Sequence, residues 1–321
     1  YFSGKNVLVT GGTGMIGRHV VSMFKSMGSR ITIISLDDLG CEESIRFIKG
    51  DLTDITFCRD TIKGFDAVFH LAGVKGSMEV SKTMPSSHFV PTLMMTTNVL
   101  DACKQNNISK VIFTSSIGAY SQSNVEIFTE VDSYEGEPLD FAGWAKRMGE
   151  LQIIAYKEQF ALKGYTAVRL SAVYGPGDNF DPNNAMMIPS LMHKIHNGEL
   201  PLQVWGDGKA IRDIAYCEDI ALGIIQALYH EPSGYYTNLG SGQGVSVKSV
   251  VEALNEIIDF DYEFDTNKPS GAGKKLLDIE KAQLKIGYEP KTTLSEGLKK
   301  TWSWFLENKN EYELKQNYFR N

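Results

Sequence analysis

Short apolar runs alternate with longer stretches at helical spacing through the first half of the chain. The run KNVLVT (5–10) has no polar alternation, which is the pattern of a parallel strand covered on both faces. GMIGRHVVSMFKSMG follows with apolar residues at helical spacing. Further strands are predicted at 30–35 (RITIIS), 46–52 (RFIKGDL), 65–73 (FDAVFHLAG) and 109–116 (SKVIFTSS). Helices are predicted at 91–107 and across LDFAGWAKRMGELQ (139–152). This alternation implies an α/β fold with a Rossmann-type, doubly wound parallel sheet. Beyond about 175 the elements become shorter and richer in Gly and Pro. The expected division is therefore a Rossmann domain over 1–175 and a smaller α/β lobe over 176–321, with some chain crossing back. TTLSEGLKKTWSWFLENKN near the end reads as a Ser-capped helix.

Composition narrows the function classes. The 32 Lys and Arg against 39 Asp and Glu give a net charge of −7 with no basic stripe, which speaks against nucleic acid. Cys41, Cys58, Cys103 and Cys217 have neither metal-finger spacing nor the density of a disulfide framework. Free thiols predict a reducing, cytoplasmic location. No apolar run approaches the roughly 18 residues of a membrane span, and no signal peptide is seen ahead of the first strand.

The loop VLVTGGTGMIGRHV carries the first chemical signal. Gly11, Gly14 and Gly17 stand at G-x-x-G-x-x-G spacing between a strand and a helix that opens with Met15 and Ile16. Glycines there permit a tight turn and close approach to a diphosphate, whose charge the helix N-terminus stabilises. The second strand runs into IISLDDL, offering Asp37, with Asp38 and Ser35 nearby, to the adenosine ribose. No arginine stands there for a 2′-phosphate, although Arg18 and Arg30 could come near. NAD is therefore expected over NADP. Asp51 and Leu52 of GDLTD are placed to meet adenine.

TGGTGMIG, HLAG, TSSIGAY, VYGPGDNFDP and WGDGKAIRD together resemble the extended short-chain dehydrogenase/reductases. More narrowly they resemble the nucleotide-sugar epimerase/dehydratase family. VWGDGKAIRD, NFDPNNAMMIPSLMHKI and PSGAGKKLLD are most similar to its GDP-fucose synthase branch. The resemblance implies NAD in the first domain and a nucleoside-diphosphate sugar in the second. It also implies cofactor contacts from Leu71, Ala72, Gly73, Thr114 and Lys146. Substrate contacts are implied for Ser116, Asn179, Lys194, Val204, Arg212 and Lys275, with Arg212 clamping the diphosphate as guanidinium groups do. Trp205 and Lys274 are further candidates, while His70, Tyr120 and Tyr174 read as structural. Such proteins often pair two helices per subunit, so a homodimer through 91–107 and the Lys146 helix is expected.

The family's catalytic set is a Ser or Thr, a Tyr, and a Lys four residues after the Tyr. Ser116 and Lys146 match, but Ala142 stands where the tyrosine belongs. Three explanations remain open: an engineered Tyr-to-Ala change, a natural variant with the acid–base role moved elsewhere, or a non-catalytic sensor. Phe141 and Ala172, a second departure where the family often has Asn, favour natural divergence. The resemblance also places Ile117, Gly118 and Met186 where dehydratases and 3,5-epimerases hold proton-exchanging side chains. A dehydrogenase, a ketoreductase or a 4-epimerase is left. Hydride transfer at sugar C4 by a dehydrogenase or reductase is favoured, because a single redox step tolerates a slow proton relay.

Overall fold

Strand β1 (Asn6–Thr10) is interior to a seven-stranded sheet, and its Val7, Leu8 and Val9 are fully buried. The structure, a computed structural model, describes residues 1–121, 125–132, 134–230, 236–268, 270 and 273–319. After β1 come helix α1 (Met15–Ser26), β2 (Arg30–Ser35), β3 (Arg46–Lys49), α2 (Ile55–Thr61) and β4 (Ala67–His70). Then follow α3 (Met78–Thr83), α4 (Pro85–Gln105), β5 (Val111–Ser116), β6 (Ile127–Phe128), α5 (Phe141–Phe160), β7 (Tyr165–Leu170) and β8 (Ala172–Tyr174). The remainder is α6 (Met187–His196), β9 (Leu202–Trp205), β10 (Ile211–Tyr216), α7 (Cys217–His230), β11 (Tyr236–Leu239) and β12 (Gly244–Ser246). The chain closes with α8 (Val247–Ile258), β13 (Tyr262–Asp265), β14 (Lys274–Leu277), α9 (Glu280–Ile286) and α10 (Leu294–Asn308).

The large sheet is ordered β11-β7-β5-β4-β1-β2-β3, and all its pairings are parallel. Strand order reverses between β1 and β4, which opens a crevice at the carboxyl ends of those strands. The predicted third and fourth strands end earlier than expected. Gly50, Leu52 and Leu71–Gly73 leave the ladder and line that crevice instead. Helix α4 starts at Pro85, not at Pro91. Both prolines satisfy the first-turn rule, and the earlier one is used, leaving Pro91 inside the helix.

The second half of the chain contributes to the first sheet. β11 pairs with β7, and α7 packs on α1. Conversely, β6 and β8 join the smaller sheet β12-β10-β14-β6, in which β8 also pairs with β10. That lobe has its own apolar core around Phe180, Met192, Leu202, Val250, Leu254 and Phe305. Helix α10 is capped by Thr293, whose hydroxyl accepts the Glu296 N–H, so the predicted serine cap falls two residues late. Thr293 and Glu296 have the spacing of a capping box, which outcompetes Ser295.

Candidate active site

The glycine loop makes a backbone cradle. Gly11 has φ +67°, and a Cβ there would lie 2.9 Å from Ala72 N. A Cβ on Gly17 would lie 2.2 Å from the Gly11 carbonyl oxygen, so helix and loop close to a distance only glycine allows. Gly14 precedes α1 and offers no side-chain cap. The first N–H groups of α1 are therefore available to an anion. Asp37 stands just beyond β2, and Ser35 is bonded to Thr13 over 2.8 Å. These features fit a dinucleotide: a diphosphate would meet the Gly11–Met15 cradle, and ribose hydroxyls would meet Asp37.

A cavity of about 230 Å³ lies along this cradle. Gly11, Gly14, Met15, Asp37, Leu52, Leu71, Ala72, Gly73 and Asn179, all expected from the sequence, line it. Ile16 instead packs against the core, and Gly17 is buried at the loop–helix junction. Asp51 is exposed and outside the cavity lining; its carboxylate accepts the Thr53 N–H over 2.8 Å. Leu52 and Gly50 take the place expected for it.

Lys146 reaches the same region from α5. Its ammonium donates to the Thr114 carbonyl over 2.8 Å and sits 5.0 Å from the centre of the Phe113 ring. A Cβ on Gly73 would be 3.4 Å from Lys146 Nζ, so the ammonium stands against the cavity wall. Burial lowers it to about 8, with the charge of Glu150 opposing the change. Ser116 ends β5, and its hydroxyl accepts the Gly118 N–H over 3.1 Å. Gly143 lets α5 approach the Ile117–Ala119 turn; a Cβ there would lie 2.1 Å from the Gly118 carbonyl oxygen. Ala142 is half-buried at the start of this helix. The Thr114 hydroxyl donates to the His70 carbonyl at 3.3 Å.

His70 is structural: its ring bonds the Thr10 and Thr96 hydroxyls at 2.8 and 3.3 Å, and burial holds it down to about 3. The Tyr120 hydroxyl donates to Asn238 Oδ1 over 2.8 Å, and the Tyr174 hydroxyl to the Leu294 carbonyl over 3.4 Å. Burial pushes both phenols up, so neither is a base.

Two of the substrate candidates are neighbours in the smaller sheet. Register sets Arg212 of β10 opposite Lys275 of β14, placing two cations side by side. Arg212 donates to the carbonyls of Ile211 at 2.8 Å and Gly273 at 3.3 Å. Desolvation and then Arg212 lower the Lys275 ammonium. Lys274 pairs with Glu126 at 3.5 Å. Val204 is 3% exposed in the lobe core, whereas Trp205 is 56% exposed. Lys194 lies in the last turn of α6.

Two groups of cavity residues went unrecognised in the sequence. Lys75 and Asp178 form an ion pair of 2.6 Å across the joint between the lobes. Tyr312 and Lys315–Phe319 line the cavity from the far end of the chain. Neither group has a periodic signature that would have marked it.

A profile of the NAD dependent epimerase/dehydratase family matches residues 7–240. The chain belongs to that family. Within it, the chain is 28% identical to the probable GDP-L-fucose synthase 1 of Oryza sativa subsp. japonica, over 95% of this chain and 93% of that protein. Its fold matches the UDP-N-acetylglucosamine 4-epimerase of Methanobrevibacter ruminantium M1, solved with UDP-N-acetylmuramic acid, with TM-score 0.85 and 29% identity over 95% and 99% of the two chains. It also matches MoeE5, solved with UDP-glucuronic acid and NAD, with TM-score 0.82 and 27% identity over 94% and 99%. This epimerase/dehydratase family member is thus an NAD-dependent, nucleotide-sugar type of enzyme by kinship. Its departure is local: Ser116 and Lys146 are present, and Ala142 leaves no phenol one turn before the lysine.

Proposed function

We propose that the protein transfers hydride at C4 of a nucleoside-diphosphate sugar, GDP-linked, as a dehydrogenase or ketoreductase. The observation that carries this reading is Lys146, a buried ammonium against the cofactor cleft that burial brings to about 8. A lysine so lowered exists partly as the free amine near neutral pH and can exchange protons, the work a tyrosine would otherwise do. When bound, NAD supplies the hydride acceptor or, reduced, the donor. The chain's own part is to hold and deprotonate. Gly11–Met15 and Asp37 hold the cofactor, Ser116 orients the sugar hydroxyl, and Lys146 takes or returns its proton. Arg212, Lys275 and Asn179 are assigned to the sugar nucleotide's diphosphate and Lys194 to its base, whereas Val204 is buried in the lobe core and supports that wall from behind. Ile117, Gly118 and Met186 carry no exchangeable proton, which speaks against dehydration or 3,5-epimerisation.

The GDP assignment is supported by the rice relative's name and by the motifs around Arg212. A 4-epimerase is the second reading, favoured by the methanogen enzyme of similar fold. A non-catalytic sensor has less support, since a binder has little need of Lys146 or Ser116. A homodimer through α4 and α5 is supported by exposed Val90 and Met94 on one helix and Phe141 and Leu151 on the other. Among the described residues no helix is long and apolar enough to cross a membrane; the cysteines are free, which supports the cytoplasm.

The test is a panel of UDP-, GDP-, dTDP- and CDP-sugars, and their 4-keto forms, with NAD⁺ or NADH followed by absorbance. Net change in NADH with a GDP-sugar is expected. Interconversion of C4 epimers without net NADH change selects the epimerase, and binding without either change selects the sensor.

A further inference from the structure

We infer that the C-terminal segment 312–319 is part of the dinucleotide site: Lys315 and Tyr318 bind the cofactor, and the segment is a strap that closes over it. This rests on the NAD-dependent reading of the cleft.

The segment leaves α10 through the turn Glu311–Leu314 and is fastened to residues of the cleft and its rim. Glu311 accepts two bonds from Arg18, at 2.8 and 3.4 Å, and Arg18 is the residue after Gly17. Lys315 Nζ donates to Glu311 over 2.8 Å and to the Gly177 carbonyl over 3.2 Å. The Gln316 N–H donates to Asp37 Oδ1 over 2.7 Å, the carboxylate expected to hold the ribose. Asn317 Nδ2 donates to Asp181 Oδ2 over 2.9 Å. The Phe319 ring lies 3.0 Å from where a Cβ on Gly76 would be, and 5.9 Å from the His88 ring.

Three features make this segment part of a ligand site. The Tyr318 hydroxyl is shut off from solvent and has no hydrogen-bond partner. Buried hydroxyls are ordinarily bonded, so a ligand is the partner it lacks. Burial, then the carboxylates of Asp51 and Asp37, push that phenol up to about 12, which keeps it a donor at neutral pH. Second, an ammonium has three N–H groups and Lys315 uses two of them on the chain. Among the described residues its third N–H has no partner, and Lys315 lines the cavity, so the ammonium can donate to a bound oxygen. Third, no side chain caps α1, so the segment does not fill the anion position itself.

The cleft's free volume of about 230 Å³ is below the roughly 300–1,000 Å³ of small-molecule sites. The strap therefore lifts to admit the dinucleotide and settles on it, so it governs release.

Hydrogen exchange of residues 311–319 in the full chain, with and without NAD⁺, reads this directly. Slower exchange with NAD⁺ is expected. Faster exchange would mean that the cofactor expels the segment, and no change would mean that the two do not meet; either overturns the inference. Calorimetry on Tyr318→Phe, which removes one oxygen, should show NAD⁺ binding about 2- to 12-fold weaker, the worth of one hydrogen bond. An unchanged Kd overturns the assignment of Tyr318. A chain ending at Asn310 should release NADH faster in stopped-flow fluorescence, and slower or equal release overturns the strap. Absence of NAD binding by the unaltered protein would instead sink the cofactor reading on which all of this stands.

Discussion

The Glu150 carboxylate meets the Arg169 guanidinium at 2.6 and 2.8 Å, and both side chains are sealed from solvent. Arg169 is also stacked between the rings of Tyr120 and Tyr236, each 4.0 Å away. The Ser115 and Tyr134 hydroxyls donate to the same carboxylate. The pair thus ties β7 to α5, the helix bearing Lys146 one turn before Glu150, and the Ser115 hydroxyl adds β5, which ends in Ser116. Glu150→Ala should cost about 3–5 kcal/mol in denaturant unfolding, because it strands a buried cation. Glu150→Met combined with Arg169→Met should recover much of that loss. A double variant as unstable as the single one would show that the pair is needed for more than mutual neutralisation.

Lys146 sets a pH signature. In the oxidative direction turnover should rise with pH through about 8, as the amine that takes the sugar proton appears. Lys146→Met should lose about 10²- to 10⁴-fold in turnover, and the remaining rate should lack that rise. Stability gives an independent reading. The folded lysine is lowered by burial, so between about 8 and the ordinary lysine value the unfolded chain binds more protons. Its contribution to stability is present above that ordinary value and is lost as pH falls to about 8. Lys146→Met should flatten that slope in denaturation measured across the alkaline range.

Restoring a tyrosine tests how Ala142 arose. Its neighbours are committed: Gly143 closes on the Gly118 carbonyl, and the Phe141 ring packs 5.7 Å from that of Phe89. In Ala142→Tyr, turnover should stay within about tenfold of the parent, short of the 10²- to 10⁴-fold typical of a general acid–base. Stability should fall by about 1–3 kcal/mol from overpacking. A large rate gain with no change in melting temperature would identify an interrupted tyrosine site instead.

Gly17 is the sharpest test of the cradle. In Gly17→Ala the methyl group meets the Gly11 carbonyl at a distance no carbon occupies, so loop or helix must shift. The expected cost is about 1–3 kcal/mol of stability, with NAD⁺ affinity by calorimetry lowered about 5- to 100-fold. Retained affinity would place the diphosphate elsewhere.

The exposed apolar residues of α4 and α5 predict a dimer by light scattering at micromolar concentration. Met94→Glu with Leu151→Glu should give a monomer that keeps its melting cooperativity, since both side chains face outward. A monomeric parent would leave those residues without a partner.

By itself the sequence determined the parallel sheet, the glycine cradle, the acidic turn at Asp37 after the second strand, and the strand and helix that carry Ser116 and Lys146. Each of these is written in a local pattern: an apolar run, a spacing of three glycines, a strand end, or the offset between a helix and a strand. Chain separation hid the rest. Tyr236–Leu239 enters the main sheet beside Tyr165–Leu170, though its composition belongs to the second lobe. The Glu150–Arg169 pair joins a helix to a strand, and nothing in either residue's neighbourhood marks a buried charge. Gln316 meets Asp37 across 279 residues. Such contacts carry no periodicity, because they are set by where two surfaces come to rest once the sheet has twisted and the helices have packed on it. The tertiary structure alone decided that Tyr312 and Lys315–Phe319 wall the cleft beyond Asn6–Thr10.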